Sequence, residues 1–266
     1  MKGISAFVLV FSAWAMFAVS HAYYNVTYVN VTVSLNSNQS AHVVENYDLY
    51  ISNTSINQYV QTRSAIDLTL NYWQDMIGTT NLREHLASPN SEVYGFKFLP
   101  GPFVPSKNGN GGYALLTMDY YINNATSVRD IAPRKFEYTF NDSVLDFNRT
   151  GSGEVLQYDT RLNIIIPGGS DAISVYPLPD MPAPNFLGNY SNVTEFSWFQ
   201  GEPLTDFSFS YITTESMEAE VLNYFTNLYK NYTTPIYSFG ILALIAVILY
   251  AYIKSSEMMH GGRKRK

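Results

Sequence analysis

The stretch Tyr24-Asn25-Val26-Thr27-Tyr28-Val29-Asn30-Val31-Thr32-Val33-Ser34-Leu35 decides the fold class. Tyr24, Val26 and Tyr28 fall on one parity and Val29, Val31, Val33 and Leu35 on the other, and an apolar period of two belongs to a strand with one buried face. The change of parity at Tyr28 and Val29 predicts a β-bulge, because one extra residue returns the apolar set to the same side. Turn formers fill 36–40, and 43–51 alternates again through Tyr47, Leu49 and Ile51, so the two segments read as a hairpin.

Working outward, strand signals recur at 93–99, 113–122, 134–141, 161–166 and 172–176, with aromatic residues on one parity at Phe136, Tyr138 and Phe140. Residues 108–112 read as a hairpin tip rather than a phosphate cradle, since no Gly-Lys-Ser/Thr follows. Phe196 and Trp198, a turn at 200–203, and then Phe207, Phe209 and Tyr211 predict a second hairpin in the core. Before it, Pro177, Pro179, Pro182 and Pro184 predict a stiff extended connection, because proline has no N–H to give a central sheet. One interval departs from period two. Within 55–87, Leu70, Trp73 and Ile77 recur at helical spacing, and 81–87 is expected to add a short helical turn, with Trp73 on the core side. The expected fold is mainly β (α+β): an antiparallel β-sandwich-like domain over 23–213 carrying a helical insert at about 55–87.

The two ends predict the topology. Lys2, an apolar run from Ile4 to Val19, and the small residues Ser20 and Ala22 form a signal-peptide pattern over 1–22, with cleavage expected after Ala22. A second run, 236–253, holds 18 residues without a charge, inside the roughly 17–25 that cross a bilayer as a helix. Tyr237, Tyr250 and Tyr252 suit its interfaces. The tail 254–266 carries five Lys and Arg against one Glu, whereas 23–235 carries ten against twenty-one Asp and Glu. Positive charge beside a span stays cytoplasmic, so the acidic segment is expected outside the cell membrane. Residues 214–235 read as a juxtamembrane helix. Over 214–230, Met217, Val221, Tyr224 and Leu228 form a narrow apolar seam, expected to pack on the β-domain or to pair with a second copy.

Asn-X-Ser/Thr triplets, the acceptor pattern for N-linked glycans, begin at Asn25, Asn30, Asn38, Asn53, Asn124, Asn141, Asn148, Asn189, Asn192 and Asn231. With 23 Asn and 44 Ser plus Thr in 266 residues, chance placement gives roughly four. All ten lie between the cleavage site and the apolar span.

Composition narrows the chemistry. At 46% hydrophobic and 14% charged residues the chain is a folding sequence rather than a disordered one. It has no cysteine, so disulfides, thiolate metal sites and cysteine nucleophiles are excluded. A net charge of −6 is opposed to general nucleic-acid binding. His42 and His85 have no His partner at metal spacing, so each reads as a surface or satisfied histidine. Gly151-Ser152-Gly153 lacks the spacing of a nucleophile elbow. Asp142 and Asp146, or Asp159 and Asp171, show no pattern that forces an acid/base pair, and no calcium loop occurs. No catalytic, cofactor-binding or metal residue is expected.

The stretches Phe96-Lys97-Phe98-Leu99-Pro100-Gly101-Pro102 and Ser197-Trp198-Phe199-Gln200-Gly201-Glu202-Pro203-Leu204 resemble those of uncharacterised single-pass surface proteins of small archaea. The resemblance covers most of the outer segment and carries no motif of known chemical role. It implies an exported domain held by core packing and glycans. The expected function is that of a non-enzymatic, membrane-anchored glycoprotein acting in adhesion, envelope structure or protein binding, with the bilayer and an external protein or glycan as partners. The alternatives are an extracytoplasmic carboxylate-dependent hydrolase and an accessory subunit of a membrane complex.

Overall fold

The computed structural model describes residues 24–214, apart from 66–68, 79–81, 87–91, 152, 158, 184–189 and 191, and thereafter residues 221, 226, 240, 242–248 and 254. The chain divides into two compact units, Met1–Thr214 and Glu215–Lys266.

In the first unit, β1 (Tyr24–Leu35) and β2 (Ala41–Ile51) form the expected hairpin, with the register shifting between Val26 and Tyr28. The bulge therefore sits at Thr27 and turns Val29, Val31, Val33 and Leu35 inward, all buried. The 3₁₀ turn Asn53–Ser55 leads into two helices, α1 (Ile56–Ser64) and α2 (Leu70–Ile77). Trp73 is buried as expected, edge-on to Tyr59 at 5.5 Å and tilted against Phe98 at 5.6 Å. The helical turn expected at 81–87 does not form over its described residues, 82–86. Their backbone is used elsewhere: the His85 amide donates to Glu45, the His85 carbonyl accepts from Asp146, and Leu86 bridges Leu145.

The remaining strands are β3 (Val93–Pro100), β4 (Val104–Pro105), β5 (Gly112–Ile122), β6 (Thr126–Ala132), β7 (Lys135–Phe140), β8 (Asn148–Thr150), β9 (Gly153–Val155), β10 (Thr160–Ile165), β11 (Ser170–Tyr176), β12 (Glu195–Trp198) and β13 (Ser208–Thr214). Sheet 1 has seven strands in the order β12-β10-β1-β2-β5-β3, with β4 also on β5; sheet 2 has four, β11-β13-β7-β6; β8 and β9 form a separate ribbon. Sheet 2 is antiparallel, but sheet 1 is mixed, because β1 and β10 run parallel. The fold is thus predominantly antiparallel, as expected, and departs from an antiparallel sandwich at that one pairing, which joins strands more than a hundred residues apart.

The expected hairpin of Phe196–Trp198 with Phe207–Tyr211 is also corrected. β12 pairs with β10 in sheet 1, whereas β13 pairs with β7 and β11 in sheet 2. The connection is tied to a third partner: Gly201 N donates to Leu156 O, Leu156 N to Glu202 O, and Leu204 N to Glu154 O. Aromatic alternation had marked two strands that share a core without sharing hydrogen bonds. Phe196 and Trp198 meet Phe209 across the sheets, with ring centroids 5.2 and 6.3 Å apart, and Trp198 meets Phe207 at 5.2 Å.

The strand β6 was not expected from sequence. Only Thr126 of its seven residues is buried, so this edge strand has no apolar alternation, and its Arg129 and Asp130 are the charges that protect an edge. The proline stretch stays out of the sheet interior. Met181 exchanges backbone hydrogen bonds with Ser197, and Pro177 O accepts from Trp198 Nε1 at 2.9 Å, so this connection runs along β12, the edge of sheet 1.

In the second unit every described residue is helical, and Leu242, Leu244, Val247 and Ile248 are exposed. Among the described residues no helix is long and apolar enough to cross a membrane. Of the run 236–253, only 240 and 242–248 are described; the expected signal peptide 1–22, most of 214–235 and the residues after Lys254 lie outside the described residues.

Candidate functional site

The parity that buries the valines of β1 turns Tyr28, Asn30, Thr32 and Ser34 to the other face of sheet 1. Across that face, Asn30 stands opposite Arg161 of β10 and Asn46 of β2, while Thr32 stands opposite Asn163, which in turn faces Ser197 of β12. Side chains link these positions. Asn163 Nδ2 donates to Asn30 Oδ1 at 2.8 Å, Ser197 Oγ donates to Asn163 Oδ1 at 2.7 Å, and Thr117 Oγ1 donates to Asn46 Oδ1 at 2.8 Å. Arg161 donates from Nε to Asn163 Oδ1 at 2.7 Å and from Nη2 to Ser197 Oγ at 2.9 Å, with its guanidinium 5.0 Å from the Phe199 ring centroid.

Arg161 opens on a cleft of ≈ 250 Å³ lined by Tyr28, Asp159, Thr160, Phe199 and Gln200 as well as itself. The cleft lies beside the parallel β1–β10 pair, where Val29 N donates to Asp159 O and Asp159 N to Gln200 Oε1. Two neutral hydrogen bonds and an aromatic face hold the planar guanidinium in place. Among the described residues its Nη1 has no partner, and the four ion pairs, His42–Asp119, Arg83–Asp146, His85–Glu45 and Arg129–Glu137, do not include it. The arrangement presents spare N–H donors, one carboxylate and two aromatic surfaces to a small polar ligand. Positioned donors beside apolar walls are the ordinary build of a ligand site.

The opposite face of sheet 1 carries a second polar cluster of another kind. Glu45 occupies a core parity between Val43 and Tyr47 and is fully buried. Its Oε1 accepts from the His85 amide at 2.8 Å and Tyr120 OH at 2.5 Å; its Oε2 lies 2.7 Å from Tyr47 OH and 2.8 Å from His85 Nδ1. Tyr47 OH also touches the Arg83 carbonyl, and His85 stacks on Phe147. Burial pushes the Glu45 carboxyl up, but the attraction of His85 and the hydrogen bonds from His85, Tyr120 and Tyr47 outweigh it and hold the group below its ordinary value. Burial, then the adjacent carboxylate, drives both tyrosines well above theirs. This cluster fastens 82–86 to the sheet and has its acceptors filled.

The sequence-predicted acceptors spread over the first unit rather than converging. Asn25, Asn38, Asn53, Asn124, Asn148 and Asn192 are exposed, Asn30 and Asn141 are half-buried, and Asn189 and Asn231 lie outside the described residues. Asn124 and Asn192 sit at positive φ, a turn conformation that asparagine tolerates. Asn53 is already engaged, Nδ2 donating to Gly109 O at 3.1 Å and Oδ1 accepting from Gly111 N at 2.5 Å. His85 proves a satisfied histidine, and His42 lies 2.8 Å from Asp119. Asp146 lies beside Arg83, and Asp159 lines the cleft. Among the described residues no cluster of His, Asp and Glu suits a metal ion.

Sequence reading missed Arg161, Asn163 and Phe199, whose roles arise only from strand pairing. It also missed Glu45, although a carboxylate at a core parity was a readable signal. Compared with known proteins, the chain matches no protein-family model and no curated protein.

Proposed function

We propose that this protein is a single-pass, N-glycosylated cell-surface protein acting in adhesion, envelope structure or protein binding. Its β-unit lies outside the cell membrane and its basic tail in the cytoplasm. The observation that carries the reading is the placement of the acceptors: of the eight described Asn-X-Ser/Thr asparagines, none is buried. Accessibility is what a glycosyl transfer needs at each acceptor, and it joins the excess of ten acceptors over the roughly four that chance gives. The exposed Leu242, Leu244, Val247 and Ile248 suit a helix whose surroundings are lipid. Binding rather than hydrolysis is favoured by the cleft, whose lining holds the single carboxylate Asp159, whereas paired-carboxylate hydrolysis takes two groups about 5–9.5 Å apart.

The test is detergent phase separation of the full chain from its host, with glycopeptide mapping of the same material. Recovery in the detergent phase with several occupied acceptors is the expected result. Recovery in the aqueous phase, or bare asparagine at every acceptor, overturns the proposal.

A further inference from the structure

We propose that the Arg161 cleft is the seat of the protein's own N-linked sugar at Asn30, docked in cis on sheet 1. This rests on the glycoprotein reading above. Three observations converge on it.

The first is position. Among the described acceptors only Asn30 is paired on both sides within a sheet, with Asn46 and with Arg161. A sugar on an exposed turn points into solvent, but one on Asn30 must leave across the side chains of the face.

The second is direction. Asn30 Oδ1 is held toward β10 by Asn163 Nδ2 at 2.8 Å, and among the described residues Asn30 Nδ2, the atom to be modified, has no partner. Glycosylation forms the C1–Nδ2 bond, the amide losing a proton and an activated sugar phosphate losing its phosphate with the bonding electron pair. The product is a secondary amide, and such amides are trans about the C–N bond. C1 then lies on the Oδ1 side, toward β10 and Asn163, whose own Oδ1 accepts from Arg161 Nε.

The third is complementarity. Tyr28 is two residues from Asn30 on the same face, about 7 Å along the strand. A pyranose has an apolar C–H face and a rim of hydroxyls. Phe199 and Tyr28 offer surfaces for the former, the free Arg161 Nη1 donates to the latter, and Asp159 accepts from them. At ≈ 250 Å³ the cleft falls below the roughly 300–1,000 Å³ of drug-sized pockets, a space suited to a single ring.

The test uses the full chain purified from its host in mild detergent and treated with dilute periodate, which cleaves vicinal diols, with oxidation read site by site from glycopeptides. A sugar docked nine-tenths of the time leaves about one-tenth reactive, so the Asn30-linked sugar should oxidise about tenfold more slowly than that at Asn124. The difference should vanish after unfolding and in the Phe199→Ala protein. Arg161→Gln is the second variant, and near-ultraviolet circular dichroism checks that each is folded. Equal rates at Asn30 and Asn124 in the native protein, protection that survives both variants, or a bare Asn30 beside other occupied acceptors overturns the docking and leaves the glycoprotein reading standing. Bare asparagine at all acceptors overturns both.

Discussion

Sheet 1 carries a polar cluster on each face, and the two are built to opposite ends. On the inner face, Glu45 gathers His85, Tyr47 and Tyr120 within a shell of apolar side chains. On the outer face, Asn163 joins Asn30, Arg161 and Ser197 beside an open cleft. Each rests on strand register, yet only the outer one reaches the surface, through Asn30 and Arg161. A buried carboxylate left without donors is costly, so the inner cluster is saturated and holds the fold. Asn163 and Ser197 of the outer cluster are buried too, but Asn30 and Arg161 are half-buried beside the cleft, so that end of the cluster keeps unused donors it can offer to a ligand.

The sharpest way to break this contrast is Glu45→Ala, which takes the carboxylate from the buried His85 ring and amide and leaves the Tyr47 and Tyr120 hydroxyls to the Arg83 and Leu86 carbonyls. Removing one partner of a buried pair costs about 3–5 kcal/mol, and chemical denaturation of the purified full chain should show a loss of that size. Acid should approach the same state reversibly. Because the folded Glu45 carboxyl titrates below its ordinary value, its contribution is present above the unfolded value, near pH 4.3. It is lost as pH falls from there through the lower folded value. Melting temperatures of the purified full chain measured down that range should fall, and the Glu45→Ala protein should lose the share of the dependence that Glu45 supplies.

Tyr120→Phe is gentler, removing one donor from Glu45 Oε1 while keeping the ring. A buried acceptor deprived of a donor costs roughly 1–3 kcal/mol, measurable by the same denaturation. The smallest effect is expected at the outer hub. Asn163→Ala breaks the bonds to Asn30, Arg161 and Ser197, but water can reach the half-buried Asn30 and Arg161, and the buried Ser197 keeps its bond from Arg161 Nη2, so the loss should be about 0.5–1.5 kcal/mol. A larger loss from Asn163→Ala than from Tyr120→Phe would refute the distinction between the two faces.

Legibility from sequence followed the range of the information. The β1–β2 hairpin was readable because alternation, turn residues and even the bulge lie within one short span. The helical insert was readable where Leu70, Trp73 and Ile77 formed a stripe, and not over 82–86, whose backbone answers to Glu45 and Asp146. The strand β6 lacked the signal because an exposed edge does not alternate. The β12–β13 hairpin failed for the converse reason, since strong alternation reports a shared core and says nothing of which strand is the hydrogen-bonding neighbour. The candidate site was legible only in its local part: the Asn30-Val31-Thr32 triplet is complete by itself, whereas Arg161, Phe199 and Tyr28 meet only after β10 has paired with β1.

By itself the sequence determined which side of each strand is apolar, which asparagines stand in Asn-X-Ser/Thr triplets, and, through the absence of cysteine, which chemistries are closed. Those properties reside in neighbours a few residues apart, where side-chain period and covalent identity suffice. Only the tertiary structure decided that β1 and β10 run parallel, that Phe196 and Phe209 belong to different sheets, and that one carboxylate is sealed while one arginine is left open. Such outcomes depend on which distant strands bury each other's faces, and a side-chain period is the same whichever partner a strand finds.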